Sequence, residues 1–126
     1  MRPDDRSVLE SPAAVVRVLI PDPINLGPGK VRLLAAIRAS GSISAAARRM
    51  KISYRRAWLM LDALNKACPG GVVDATAGGV GGGGARLTTL GEEILDRYES
   101  IQRLAQQAVA GEVSELVACI RRAGAT

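Results

Sequence analysis

The residue types that usually perform catalysis are scarce in this chain. Histidine is absent, and there are two cysteines, Cys68 and Cys119. These counts exclude histidine-based acid–base catalysis, Ser-His and Cys-His nucleophile pairs, and the usual zinc sites. Carboxylates and lysines remain, but nothing in the sequence pairs them convincingly. We therefore expect a protein that is not an enzyme and binds no metal, with both cysteines buried as free thiols.

Positive charge is the chemical feature that stands out. The formal net charge is +5, and the excess falls between Gly27 and Gly71, where Asp62 is the only acidic residue. The basic residues of this segment are Lys30, Arg32, Arg38, Arg48, Arg49, Lys51, Arg55, Arg56 and Lys66. Such a one-sided segment is typical of a surface that binds a polyanion. A solubilising role is the alternative, but solubility does not require this asymmetry.

The middle of the basic segment has the pattern of a helix-turn-helix. Ser42 and Ser44 are good N-cap residues for a short alanine-rich helix over residues 45–50. A turn at Ile52 follows, and Ser53 can cap a second helix over residues 54–67. The first turn of such a second helix faces base edges in the major groove of DNA.

The residues predicted to bind DNA follow from this placement. They are Ser53, Tyr54, Arg55 and Arg56 on base edges, because Arg binds guanine bidentately, and Ser42, Ser44 and Arg48 on phosphates. Simpler roles compete with each assignment. The serines can be helix caps alone, Arg48, Arg49 and Lys51 can form a solvated helix face, and Tyr54 can shield the core. Trp58 is predicted to be a core residue that packs against the preceding helix.

The flanking segments predict small β elements around this motif. Residues 14–20 predict a strand, residues 21–29 a loop and residues 29–39 a helix. Strands over residues 72–77 and 85–88 flank a glycine-rich tip over residues 78–84, which together form a β-hairpin wing. In this wing Gly81, Gly82, Gly83 and Arg86 are expected to approach the DNA backbone. A phosphate-binding P-loop is excluded because no Gly-Lys-Ser/Thr ending and no immediate helix follow the glycines.

The C-terminal segment predicts a long helix over about residues 90–110, capped by Thr88 or Thr89. Its apolar positions alternate by four and three, as in a coiled-coil seam. These positions are Ile94, Tyr98, Ile101, Ala105 and Ala108, and the stripe continues at Val113, Leu116, Val117 and Ile120. The seam predicts a homodimer interface. The alternative is that the helix packs back on its own domain.

The predicted fold is therefore mainly α with a small β component, a winged helix-turn-helix with a long C-terminal dimerisation helix. Residues 1–12 are expected to be flexible, residues 13–89 to form the DNA-binding domain, and residues 90–126 the helical dimerisation extension. The core must be aliphatic, because aromatic residues make up 2% of the chain. No secretory signal or membrane span is expected, which places the protein in the cytoplasm, associated with the nucleoid.

Three stretches resemble one known family. GSISAAA (residues 41–47), ISYRRAW (residues 52–58) and GGVGGGGARLTTLG (residues 78–91) are similar to the N-terminal DNA-binding domain of the ModE family. These are molybdate-responsive transcription regulators whose winged helix is related to that of LysR-type regulators. The resemblance implies that residues 53–56 enter the major groove and residues 78–86 form the wing. Because this chain stops soon after the long helix, we expect no molybdate-binding domain and no cofactor.

The leading hypothesis is a dimeric transcription regulator that binds double-stranded DNA, acting on molybdenum-related or metal-transport genes. One alternative is an architectural, nucleoid-type protein with the same fold and little base discrimination. Another is a protein-interaction module in which the basic helices are incidental.

Overall fold

A computed structural model describes residues 12–20, 24–79 and 82–125 of the chain. Four helices and four short strands follow one another in these described residues. In chain order they are β1 (Val18–Ile20), β2 (Ile24–Leu26), α1 (Pro28–Ser40), α2 (Ile43–Met50), α3 (Tyr54–Ala67), β3 (Val73–Gly79), β4 (Gly82–Leu87) and α4 (Thr89–Gly124). The mainly α architecture with a small β component agrees with the fold predicted from the sequence. Among the described residues, no helix is both long and apolar enough to cross a membrane.

Local capping explains where the helices begin. The hydroxyl oxygens of Ser42, Ser53 and Thr88 each accept a hydrogen bond, at 3.0 Å, from the backbone N–H three residues later. Each such cap contributes about 1 kcal/mol to stability. Helix α1 ends at Gly41, whose φ of +75° is the left-handed conformation that glycine adopts easily. The predicted bounds of the second and third helices are therefore close to those observed.

The core is aliphatic and centres on α1. Leu33, Leu34 and Ile37 of this helix are fully buried, and they meet Leu64 of α3 and Leu95 of α4. Together these side chains join the three helices into one hydrophobic cluster. Apart from Tyr98 and the thiol of Cys68, no side chain with a polar group is buried in the described part of the chain.

The β elements differ from the prediction at both ends. The N-terminal strand is shorter than expected, and β1 pairs antiparallel with β2, which lies in the segment predicted as a loop. The wing strands β3 and β4 pair antiparallel from Val73 and Leu87 to Gly79 and Gly82, so they extend into the segment predicted as a flexible tip. Strand pairing uses backbone groups, and glycines can therefore continue the ladder.

Helix α4 joins the wing through a close backbone contact. The backbone N–H of Thr88 donates to the Val72 carbonyl at 3.0 Å, and the Thr88 hydroxyl donates to the Gly71 carbonyl at 2.9 Å. A Cβ atom built on Gly91 would lie 2.2 Å from the Val72 carbonyl oxygen. Only glycine lets the first turn of α4 approach β3 this closely.

Helix α4 is longer than predicted. Its 36 residues run through Gly111 without a break and span about 54 Å. Leu95 and Tyr98, in its first half, are buried against the domain, whereas most side chains after Ser100 are exposed. The second half therefore extends beyond the core that the rest of the described chain forms.

The N-terminal segment before β1 lies along α4 rather than along another strand. Gln102 accepts from the Val16 N–H at 2.9 Å and donates to the Ala14 carbonyl at 2.7 Å, while Gln106 accepts from the Ala14 N–H at 2.8 Å. The Tyr98 hydroxyl donates to the Val16 carbonyl. Four helical residues advance about 6.0 Å and two extended residues about 6.6 Å, so the two spacings match. We call Tyr98, Gln102 and Gln106 the polar ladder.

Candidate nucleic-acid interface

Helices α2 and α3 form a compact helix-turn-helix. Lys51 ends α2 in the left-handed conformation, with φ +57°, and the Ile52 N–H donates to the Ala47 carbonyl at 3.1 Å. Ala46, Ala47 and Ala57 are buried where the helices meet. These small side chains permit the close helix approach that the tight turn requires.

Helix α3 presents its first turn to solvent. Ala57, Leu61 and Leu64 face the core, at the spacing of one helical face. Tyr54, Arg55 and Arg56 are exposed. The residues predicted to contact base edges are therefore accessible, although their contact with DNA stays a prediction.

Five exposed cations surround this turn, and we call Arg48, Arg49, Lys51, Arg55 and Arg56 the basic face. Within residues 12–20, 24–79 and 82–125, their side chains form no ion pair or side-chain hydrogen bond. Their charges are therefore not neutralised by the described part of the chain. An uncompensated cationic surface of this kind attracts phosphate oxygens.

Two other cations of the basic segment are neutralised. Arg38 pairs with Glu92, Asp96 and Glu99 of α4 at 3.2, 3.4 and 3.7 Å. The hydrogen bond to Glu92, more than any other contact, raises the pKa of Arg38 above its ordinary value. Arg38 therefore fastens α1 to α4. Its acidic partners lie at i, i+4 and i+7 and so form a stripe on one face of α4. This spacing is visible in the sequence, but the net charge of a segment does not reveal it.

The second neutralised cation is Lys66, which pairs with Asp62 one helical turn away at 2.8 Å. This contact raises the pKa of Lys66. The pair lies on α3 beyond the basic face. The one acidic residue of the basic segment therefore has a partner of opposite charge within its own helix.

The predicted serine contacts have two kinds of environment. Ser42 and Ser53 are N-caps whose oxygens already accept backbone hydrogen bonds, which leaves each hydroxyl proton as a donor. Ser44 is an exposed residue inside α2. Capping by Ser42 and Ser53 is thus established, and phosphate binding by all three stays a prediction.

The prediction that Trp58 belongs to the core is wrong. Its side chain is 46% exposed, and that of Tyr54, one turn earlier, is 54% exposed. Trp58 follows the inward-facing Ala57 by one residue, so it is rotated by about 100° from the core face. Leu59 is also 54% exposed. The apolar character of Trp58 favours burial, but its helical phase relative to Ala57 places the side chain at the surface.

The wing is fixed to the helix-turn-helix through its second strand. The Ala85 N–H donates to the Gly41 carbonyl, between α1 and α2, at 2.8 Å. Arg86, the next residue, is exposed. Gly82 and Gly83 belong to β4, whereas Gly81 lies outside the described residues. The hairpin therefore holds Arg86 in a fixed relation to the two helices.

The five seam residues of α4 have different environments. Tyr98 is buried in its own chain, Ile94 and Ala105 are half-buried, and Ile101 and Ala108 are exposed. Further apolar side chains of α4 are exposed, namely Leu104, Val109, Leu116 and Ile120. Part of the helix thus covers its own domain, and an apolar remainder faces solvent. The role of the seam in a dimer stays a prediction.

The expectation that both cysteines are buried holds for one of them. Cys68 is buried and Cys119 is exposed, and both are free thiols. Burial raises the pKa of the Cys68 thiol. The described residues contain no group of three or more His, Cys, Asp or Glu side chains placed to hold a metal ion.

The arrangement of helices and hairpin defines a winged helix-turn-helix. A solved structure of the Multiple Antibiotic Resistance Repressor, MarR, has a similar fold, with a TM-score of 0.51, 20% sequence identity, and coverage of 78% of this chain and 76% of that one. At this identity the likeness shows the fold alone.

Sequence comparison identifies closer relatives. The transcriptional regulator ModE of Haemophilus influenzae is 41% identical over 83 residues, which is 66% of this chain and 32% of that protein. The molybdenum-pterin-binding protein MopB of Rhodobacter capsulatus is 47% identical over 77 residues, 61% of this chain and 28% of that protein. The dual regulator ModE of Escherichia coli is 37% identical over 81 residues, 64% of this chain and 31% of that protein.

These matches confirm the resemblance to the ModE family over the aligned part of the chain. The chain spans about a third of the length of the curated relatives it matches. No family model matches the sequence.

Proposed function

We propose that this protein is a dimeric transcription regulator that places helix α3 in the major groove of double-stranded DNA. One observation supports this function above the others. The exposed helix-turn-helix presents five cations, Arg48, Arg49, Lys51, Arg55 and Arg56, that make no ion pair with the rest of the described chain. The relatives from Haemophilus influenzae and Escherichia coli are named as transcriptional regulators, which supports the same function.

The cations of the basic face have two different roles in this proposal. Arg55 and Arg56, on the first turn of α3, reach base edges, and a bidentate arginine is worth about 1–3 kcal/mol of discrimination against the wrong base. Arg48, Arg49 and Lys51 lie on α2 and the turn, where they contact phosphates. Each phosphate contact makes the logarithmic salt dependence steeper by about 0.9. The basic face therefore supplies both specificity and affinity.

The wing adds a second contact with the DNA backbone. Because Ala85 is hydrogen-bonded to Gly41, Arg86 moves with the helix-turn-helix as one unit. The adjacent glycines have no side chains to hold the backbone away from a sugar-phosphate chain. We propose that Gly81, Gly82, Gly83 and Arg86 lie against the backbone beside the groove that α3 occupies.

Helix α4 supplies the dimer interface. Ile101, Leu104, Leu116 and Ile120 are between 42% and 63% exposed, so the helix leaves a long apolar surface in water. Association with α4 of a second copy removes this surface from water and gives a two-fold arrangement. Two α3 helices then bind two half-sites about one DNA turn apart.

The proposed targets are molybdenum-related or metal-transport genes. A relative from Azotobacter vinelandii, 38% identical over 84 residues, is named a molybdenum transport protein. We propose that DNA binding by this chain requires neither molybdate nor another cofactor, because the basic face and Arg86 themselves supply the cations that contact DNA. Titration of the DNA complex with molybdate is then expected to leave the affinity unchanged.

Selection from a randomised duplex library, at two salt concentrations, tests the proposed function. Recovery of a palindromic site with half-sites one turn apart is the expected result. Arg55→Ala should weaken binding to that site by about 5- to 150-fold, the equivalent of 1–3 kcal/mol. Arg122→Ala removes the same charge from the exposed end of α4 and serves as the control.

Two other results would contradict the proposal. Strong, salt-sensitive binding without any consensus would favour the architectural alternative. Absence of binding at both salt concentrations would favour a protein-interaction module.

A further inference from the structure

The solvent-facing side of α3 contains large apolar residues among its charges. Trp58 is 46% exposed and Leu59 is 54% exposed. Leu59 follows Arg55 by one helical turn, and Trp58 follows Tyr54 by the same interval. A helix face that meets only water usually has polar residues at such positions. The exposed apolar side chains therefore point to a surface that α3 meets in a complex.

Packing within the described part of the chain does not account for these two side chains. Leu59 is two residues from both Ala57 and Leu61, which face the core, so it lies on the opposite side of the helix. Trp58 lies between that side and the core face. Neither side chain contributes to the hydrophobic core cluster. Their replacement by alanine, a good helix former, should leave the fold intact.

We infer that Trp58 and Leu59 read thymine methyl groups in the major groove, one helical turn beyond Arg55 and Arg56. This inference rests on the proposed function and assigns a base class to it. In the major groove the thymine C5-methyl is the apolar group that distinguishes one base pair from the others, and apolar side chains contact it. Arginine next to leucine on one face thus reads guanine next to thymine.

The helix geometry sets the distance between the two base contacts. One helical turn advances about 5.4 Å, and base pairs are stacked about 3.4 Å apart. A thymine read by Leu59 therefore lies within about two base pairs of the guanine read by Arg55. The next turn of α3 ends this surface with the Asp62–Lys66 pair, whose charges cancel each other.

Replacing thymine by deoxyuridine tests the inference, because deoxyuridine lacks the methyl group and pairs in the same way. The site is first selected by the wild-type protein from a randomised thymine-containing library and then resynthesised with single deoxyuridines. One or two substitutions near the guanine should weaken wild-type binding about fourfold, which corresponds to the ~0.8 kcal/mol of one buried methyl group.

Alanine variants identify the side chains responsible. Leu59→Ala and Trp58→Ala should each bind the thymine and deoxyuridine forms of a sensitive site with more nearly equal affinity than the wild type does. Leu19→Ala, at a leucine of β1 that is 72% exposed, is the control and should retain the wild-type difference. Circular dichroism of each variant checks that it is folded.

Failure of the inference and failure of the proposed function look different. If the wild type selects a site but no deoxyuridine weakens binding, or if both variants still discriminate as the wild type does, the methyl-reading inference is overturned and DNA binding stands. If no library member is bound, both are overturned, and the exposed Trp58 and Leu59 become contacts for a protein partner.

Discussion

A glycine-to-alanine substitution at the start of α4 should destabilise the fold, although alanine usually stabilises a helix more than glycine does. The Cβ atom of Gly91→Ala would lie 2.2 Å from the Val72 carbonyl oxygen. Relief of this overlap must move α4 away from β3, and such overpacking costs about 1–3 kcal/mol. The same movement strains the bond from the Thr88 N–H to that carbonyl, which is worth about 1 kcal/mol. Alanine recovers about 1 kcal/mol of helix propensity.

The net loss is therefore about 1–3 kcal/mol, which lowers Tm by roughly 4–12 °C for a chain of this length. Gly111→Ala is the matched control, since it makes the same change in the same helix where a Cβ meets nothing within 4 Å. It should raise Tm by a few degrees, in line with about 0.5–1 kcal/mol of propensity. Differential scanning calorimetry measures both. Equal shifts in the two variants would refute the close-contact explanation of Gly91.

Further predictions concern the basic face, the dimer, the wing and the thiols. Arg48→Ala should weaken binding to all DNA sequences alike and reduce the salt slope by about 0.9 per subunit; a sequence-dependent loss would instead make Arg48 a base contact. Ile101→Glu should give monomers in light scattering, and a variant that stays dimeric excludes this seam as the dimer interface. Asn65→Ala deprives the Val72 and Val73 N–H groups of their acceptor, so the free energy of unfolding should fall by about 1–3 kcal/mol in urea titrations. Near neutral pH, a thiol reagent should modify exposed Cys119 well before Cys68, whose raised pKa and burial disfavour the thiolate; equal rates would contradict this.

The parts of the fold that were predicted correctly depend on local signals. Ser53 caps α3, and the core positions Ala57, Leu61 and Leu64 repeat at helical spacing, so both the start and the inward face of that helix are set by neighbouring residues. The turn-forming residues also predict a hairpin in the correct place, although its strands reach further into the glycine segment than expected. Local chemistry of this kind can be recognised in a single sequence.

The features that were missed depend on partners far away in the chain. The local charge pattern assigns Arg38 to the basic surface, whereas its three acidic partners lie more than 50 residues later, on α4. The prolines around β2 indicate a loop, although residues 24–26 pair with β1 as a strand. Its residue type favours a core position for Trp58, although its helical phase relative to Ala57 places the side chain outside the core. For these residues, the surroundings in the fold depend on helical phase and on contacts distant in sequence, and residue type alone does not reveal them.

The polar ladder that binds the N-terminal segment to α4 has a consequence for synthesis on the ribosome. Its four hydrogen bonds join residues that are 82 to 92 positions apart in sequence. Residues 14–16 leave the ribosome more than 80 residues before their partners Tyr98, Gln102 and Gln106 do. This segment is therefore made well before it can dock on α4, and until then its backbone groups remain open to water or to other chains.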